Sequence, residues 1–152
     1  MASKILVGWR EWVSLPELGI RAIKAKVDTG ARTSALHAFE VDRFEADGRS
    51  RVRFGIHPLQ MTEKVELFCV ADVIDQRVVI DSGGHREERC VIRTPIRVGD
   101  REWPIEITLT NREDMLFRML LGRTAMRRRV LVNPSASFLT GTELSEAYLD
   151  HL

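Results

Sequence analysis

The sequence predicts a mainly β domain, and three observations carry that reading. Apolar and polar residues alternate with period two over several short stretches, most clearly at Val52, Phe54 and Ile56 against Arg51, Arg53 and Gly55. Turn signals such as Asp47-Gly48 and Gly99-Asp100 recur between those stretches. The length, 152 residues, suits one domain, residues 1–152, and 44% hydrophobic against 30% charged residues is enough to bury a core.

Taken in order, Ile5-Leu6-Val7 and Trp12-Val13 read as two strands split by Gly8 and the Arg10-Glu11 pair, and Pro16 and Gly19 punctuate the next connection. Ile20 to Val27 is a half-buried strand, with Ile23, Ala25 and Val27 on its apolar face, and it runs straight into Asp28-Thr29-Gly30. Ala35 to Phe44 alternates weakly before the Asp47-Gly48 turn. Val65 to Val73 and Val78 to Ile80 read as separate strands, followed by a polar hairpin tip from Asp81 to Arg89. Val91-Ile92, Ile96 to Val98 and Trp103 to Leu109 form a further meander. Met115 to Leu121 is apolar and leads through Gly122-Arg123 into a short helix from Thr124. Thr142 to Leu152 is expected to be a C-terminal helical tail, with Leu144, Ala147, Tyr148 and His151 on one face.

Composition narrows the function. Lys+Arg 23 against Asp+Glu 22 leaves a net charge of +1, without the basic footprint of a nucleic-acid binder. Within that balance Arg outnumbers Lys 19 to four, a bias that codon usage produces but that also supplies planar forks for carboxylates. Cys69 and Cys90 sit in apolar stretches and read as buried free thiols. The N-terminal stretch MASKILVGWREW is broken by charge, and no apolar run reaches the roughly 18 residues of a membrane helix. The expectation is a cytoplasmic protein that does not engage membranes. There is no His-Glu-x-x-His and no G-x-x-x-x-G-K-[ST]. The four histidines (His37, His57, His85 and His151) lack ligand spacing, so no metal and no cofactor is expected; His37 and His85 read as structural.

What stands out is a strand ending in Asp28-Thr29-Gly30-Ala31, and, far downstream, an apolar strand ending in Leu121-Gly122-Arg123. Alone, Asp-Thr-Gly is a β-turn tripeptide. The pair resembles the signature of retropepsin-like aspartic peptidases. With Val7 to Ile20, Lys26 to His37 and Thr108 to Arg112 added, the chain resembles the bacterial RimB-type family, also labelled ATP-dependent zinc proteases. The likeness runs from about Val7 to Pro134.

The resemblance implies a closed retropepsin-like barrel and a carboxyl dyad. Two aspartates held about 3 Å apart share one proton, so one draws a proton from water while the other donates to the developing oxyanion. With one Asp-Thr-Gly per chain, the second Asp28 comes from a second copy, which makes the expected enzyme a homodimer, with Thr29 tying the paired loops together. Asp28, Thr29 and Gly30 are the implied catalytic residues, with Gly122 and Arg123 in support. Ala31 carries no hydroxyl to lower the Asp28 pKa, which predicts activity nearer neutral pH than in digestive aspartic enzymes.

In viral retropepsins the second residue after the glycine is commonly Asp and pairs with the later Arg. Here it is Arg32, so Arg123 must pair elsewhere, with Glu113 or Asp114 as candidates, and Arg32 is either a solvated charge or a cleft residue that holds an acidic side chain. Ala31, Arg32 and Arg89 are the expected substrate-binding residues, and Ser82, Gly83, Gly84 and His85 the expected flap. Arg86, Arg89 and Arg93 are either ordinary hairpin charges or a basic face of that flap. RimB-type proteins are linked to RimK-type ATP-grasp ligases that add glutamate tails to a ribosomal protein, which implies a glutamate-tailed substrate. Two alternatives stay open: a zinc-dependent peptidase, and a non-catalytic module that binds acidic tails.

Overall fold

The computed structural model describes residues 3–80, 83–111 and 115–151. Among these residues are eleven strands and one short α-helix, besides 3-10 turns: β1 (Ile5–Val7), β2 (Arg10–Leu15), β3 (Ile20–Val27), β4 (Ser34–His37), β5 (Phe39–Ala46), β6 (Arg49–Ile56), β7 (Leu67–Ile80), β8 (Arg86–Val98), β9 (Arg101–Thr110), β10 (Met119–Leu121), α1 (Arg123–Met126) and β11 (Val130–Val132).

Nine strands form one sheet in the order β2-β3-β10-β4-β9-β8-β7-β6-β5. It curls until β2 meets β8 at the pair Ser14 and Arg97, closing β2, β3, β10, β4, β9 and β8 into a ring. The expected barrel is therefore a ring closed by one residue pair, with β7, β6 and β5 continuing outward from it. One core cluster holds Ile23, Leu36, Ile92, Ile107 and Met119 from the ring and Phe54 from β6, all fully buried. No helix among the described residues is long and apolar enough to cross a membrane.

Local chemistry explains most elements. Asp47 and Gly48 both take positive φ, 54° and 74°, as a tight hairpin between β5 and β6 requires. The short helix after Gly122-Arg123 is α1, held by the Trp103 indole N–H on the Ala125 carbonyl at 2.9 Å.

Three sequence expectations change. The stretches expected at 65–73 and 78–80 merge into one 14-residue strand, β7, that starts at Leu67, because a bulge between Val73 and Asp75 lets it follow β8 while its side-chain phase shifts. The stretch from Ala35 to Phe44 divides at Ala38 into β4 and β5, which pair with different partners. The C-terminal tail is not an α-helix but two 3-10 turns, Glu143–Glu146 and Leu149–His151. Its start has no side-chain cap and follows Gly141 at φ 109°, and the segment is shorter than the roughly 12–15 residues at which helices become stable alone. The tail is instead pinned to β3: the Tyr148 hydroxyl donates to Ala22 O at 2.8 Å and accepts from Ala22 N–H at 3.0 Å. Strand β11, which the sequence pattern did not single out, pairs in parallel with β1.

Candidate active site

Strand β10 lies parallel to β3, with Leu121 opposite Val27, so the two motifs far apart in sequence end side by side. Asp28 N–H donates to Leu121 O at 2.9 Å. The downstream segment then clasps the Asp28 loop: Arg123 N–H donates to Ala31 O at 2.8 Å, Thr124 N–H to Arg32 O at 3.0 Å, and the Arg123 guanidinium to Gly30 O at 3.1 Å. Gly122 is needed here for space. A Cβ on it would lie 2.6 Å from the Thr33 carbonyl carbon and 2.9 Å from Ser34 N, both backbone atoms. Its N–H donates to the Ser34 hydroxyl at 3.0 Å.

The Asp28 carboxylate is half-buried. Its Oδ1 accepts Gly30 N–H at 2.9 Å and Ala31 N–H at 3.2 Å, while its other oxygen has no partner among the described residues. The carboxylate is thus aimed by its own loop with one oxygen left for chemistry. Thr29 and Gly30 are exposed, and the Thr29 hydroxyl has no partner among the described residues. The loop is in place with its outward groups unused.

Arg32 is exposed, on the rim of a cavity of about 310 Å³. Arg89 is not an outward flap residue. It is 7% exposed, with Nε on Glu87 Oε2 at 2.9 Å and Nη1 on Thr108 Oγ1 at 3.4 Å. Arg89 shares its face of β8 with Glu87, Val91 and Arg93, and it is covered where Glu87 and Thr108 engage its guanidinium, whereas Arg93 further along the same face is exposed. Arg93 and Arg77 reach the cavity beside Arg32 instead. Gly83, Gly84 and His85 do sit at the β7–β8 turn. Ser82, and the Glu113 and Asp114 considered as partners of Arg123, lie outside the described residues.

Sequence reasoning missed a polar network behind the loop. The Thr110 hydroxyl donates to Glu87 Oε2 at 2.9 Å, Glu87 holds Arg89, Arg89 reaches Thr108, and the Thr108 hydroxyl donates to Ser34 O at 3.2 Å. Ser34 in turn receives Gly122 N–H, which connects the β7–β8 hairpin to the Asp28 loop. Its one sequence signal was threonine at the buried positions Thr108 and Thr110, next to the apolar Ile107 and Leu109 of β9.

Two further groups are fixed by their neighbours. Asp75 is held below the usual carboxylate range, first by the Arg77 side chain and then by Gln76 N–H, and the same contacts with Asp75 and Glu106 raise Arg77. Burial pushes the Cys69 thiol up to about 11. The zinc that the label of the resembled family implies does not fit the described residues. No three His, Cys, Asp or Glu among them cluster as ligands, His57 stacks on Phe39 and pairs with Glu66 at 3.1 Å, and His37 is enclosed at 5% exposure.

Residues 6–143 match the family model RimB-like, described as retropepsin-like aspartic endopeptidase RimB. Among curated proteins, the chain is 45% identical over 145 residues to a "probable alpha-L-glutamate ligase" of Desulfotalea psychrophila, covering 95% of this chain and 31% of that protein. It is 50% identical over 141 residues to a protein of the same description from Parasynechococcus marenigrum, covering 93% and 30%. The chain thus spans about three-tenths of the length of these relatives. Among solved structures, Lpg0085 of Legionella pneumophila, a protein of unknown function assigned to DUF785, superposes with a TM-score of 0.76 at 27% identity, covering 91% of this chain and 99% of that one.

Proposed function

The chain belongs to the RimB-like family of retropepsin-like proteins, and from that premise we propose that it is an aspartic endopeptidase acting as a homodimer on acidic, glutamate-tailed protein segments. The observation that carries the proposal is the parallel seating of β10 against β3, which sets Gly122-Arg123 against Asp28-Thr29-Gly30. That arrangement supplies one half of a carboxyl dyad.

In the proposed mechanism the Asp28 loops of two copies meet on a two-fold axis, an arrangement that the unpartnered Thr29 hydroxyl and the unengaged Asp28 oxygen support. The two carboxyls share one proton, since both cannot ionise at such separation. The charged member takes a proton from the attacking water; the other protonates the oxygen of the tetrahedral intermediate, and the pair then delivers a proton to the leaving amine. Gly30 N–H and Ala31 N–H keep the carboxylate in place throughout. Arg32, exposed four residues beyond Asp28, holds an acidic side chain of the substrate.

The ligase names of the longer relatives support a functional association with glutamate-ligase chemistry. In this reading the matched three-tenths is a peptidase unit that trims what a RimK-type ligase module adds. Free buried thiols at Cys69 and Cys90 support work in the reducing cytoplasm. The deciding experiment is mass spectrometry of a glutamate-tailed peptide after incubation with wild type and with Asp28→Asn. Cleavage by wild type and none by the folded variant supports the proposal. Binding without cleavage makes the protein a tail-binding module. Cleavage lost with EDTA and restored by Zn²⁺ would replace the carboxyl dyad with a metal.

A further inference from the structure

We propose that the cavity beside Arg32 is a carboxylate subsite of the substrate cleft, with Arg93 as a second specificity-determining residue. The inference rests on the reading of Asp28 as the peptidase centre. The cavity, about 310 Å³, is lined among others by Arg32, Thr33, Arg77, Arg93, Glu106 and Thr124. That is the size of a small-ligand site and holds one acidic side chain with room to spare.

The charges in it do not cancel. Arg77 is committed, with Nη2 on Glu106 Oε1 at 2.8 Å and Nε on Asp75 Oδ2 at 2.8 Å. Glu106 is also the cross-strand neighbour of Arg93, but its carboxylate is engaged by Arg77. Arg93 and Arg32 are both exposed and make no ion pair or side-chain hydrogen bond among the described residues. Two planar forks, flanked by the hydroxyl-bearing Thr33 and Thr124, therefore line one cavity whose single carboxylate, Glu106, is paired with Arg77 and with neither of them. Arginine forks of this kind pair with carboxylates two N–H groups at a time. Arg77 serves as a fixed wall, because Asp75 and Glu106 already hold its Nε and Nη2.

The location ties the cavity to the proposed chemistry. Arg32 follows Asp28 by four residues, so their Cα atoms are at most about 14 Å apart along the chain. Thr124 N–H also holds the Arg32 carbonyl at 3.0 Å, which fixes the cavity to the clasp around the Asp28 loop. An extended substrate advances about 3.3 Å per residue, so the carboxylate in the cavity belongs to a residue within about four positions of the cleaved bond. Its source is either a glutamate or aspartate side chain or the C-terminal carboxylate of a short tail.

The test compares wild type with Arg93→Ala and Arg93→Glu on a glutamate-rich peptide and on its glutamine counterpart. Each peptide is made with a free and with an amidated C-terminus. Loss of one charged fork should lower the ratio of kcat/KM for the acidic over the neutral peptide about tenfold in Arg93→Ala, through KM. In Arg93→Glu the ratio should fall below one. A drop on amidation assigns the cavity to the C-terminal carboxylate; persistence of the preference assigns it to a side chain. A ratio unchanged in both variants overturns the inference while leaving the peptidase reading intact. Should wild type cut neither peptide, the peptidase reading fails, and fluorescence anisotropy of the labelled peptides still decides the subsite. Tighter binding of the acidic peptide that Arg93→Glu abolishes sustains it, and equal binding of both peptides overturns it.

Discussion

Replacing Glu11 by Gln probes a charge in the interior of the fold. Glu11 is 1% exposed, and its carboxylate accepts four hydrogen bonds: Gly8 N–H at 2.7 Å and Leu139 N–H at 2.8 Å on Oε2, Thr140 N–H at 3.1 Å and the Thr140 hydroxyl at 2.8 Å on Oε1. It joins the turn before β2 to the C-terminal segment, and the same turn carries the Trp9 carbonyl that accepts Val27 N–H beside Asp28. A glutamine keeps one acceptor oxygen and turns the other into a donor. The Thr140 hydroxyl can rotate to accept from the new amide, but Thr140 N–H then faces a donor. An unsatisfied buried N–H costs about 1–3 kcal/mol, and the two remaining bonds lose their charge assistance. The expected loss is about 2–4 kcal/mol, which lowers Tm by roughly 4–16 °C for a chain of this size. Differential scanning calorimetry and urea unfolding read it directly, with the midpoint moving and the m-value unchanged. A Tm drop under about 2 °C would refute the idea that this carboxylate ties the two ends together.

Three further outcomes follow from the same geometry. Gly122→Ala forces a Cβ into the Thr33–Ser34 backbone and should cost about 1–3 kcal/mol while reducing peptidase activity more than its stability loss explains; wild-type activity in that variant would contradict the clasp. Ala31→Ser places a hydroxyl beside the Asp28 carboxylate, favours its charged form, and should move the acid limb of the pH–activity profile to lower pH. Cys69 and Cys90 are both raised, chiefly by burial, so the folded protein should resist iodoacetamide at pH 8 and react at both thiols only in urea. A thiol pKa raised from its ordinary 9.0 to about 11 at Cys69 contributes stability below pH 9 and loses it as the pH climbs toward 11, so urea midpoints should fall over that range.

Much of the fold was legible because the relevant signals are local. The alternation of β3 and the Asp47-Gly48 turn each act within a few residues. The pairing of the two site motifs was legible through the family resemblance, and the structure supplies its physical form as parallel strands in register. What was not legible depends on distant partners. Glu11 reads only as half of a charged pair between two strands until residues 139 and 140 supply its donors. Arg89 reads as a hairpin-tip cation, yet Glu87 and Thr108 satisfy it in the interior, whereas Arg93, four residues on, is left facing the cavity. The tail reads as a helix from its apolar spacing, but docking of Tyr148 on Ala22 is compatible with two separate turns.

The central claim, that two copies of Asp28 form one catalytic centre, is tested most directly by mixing subunits. Wild type and Asp28→Asn are combined in equal amounts, allowed to exchange, and assayed by mass spectrometry on a glutamate-tailed peptide. If each centre needs an Asp28 from both copies, random pairing leaves roughly a quarter of the dimers active, so activity per wild-type chain falls to about half. Activity per wild-type chain that stays constant under a growing excess of the variant would show that one chain acts alone and contradict the account.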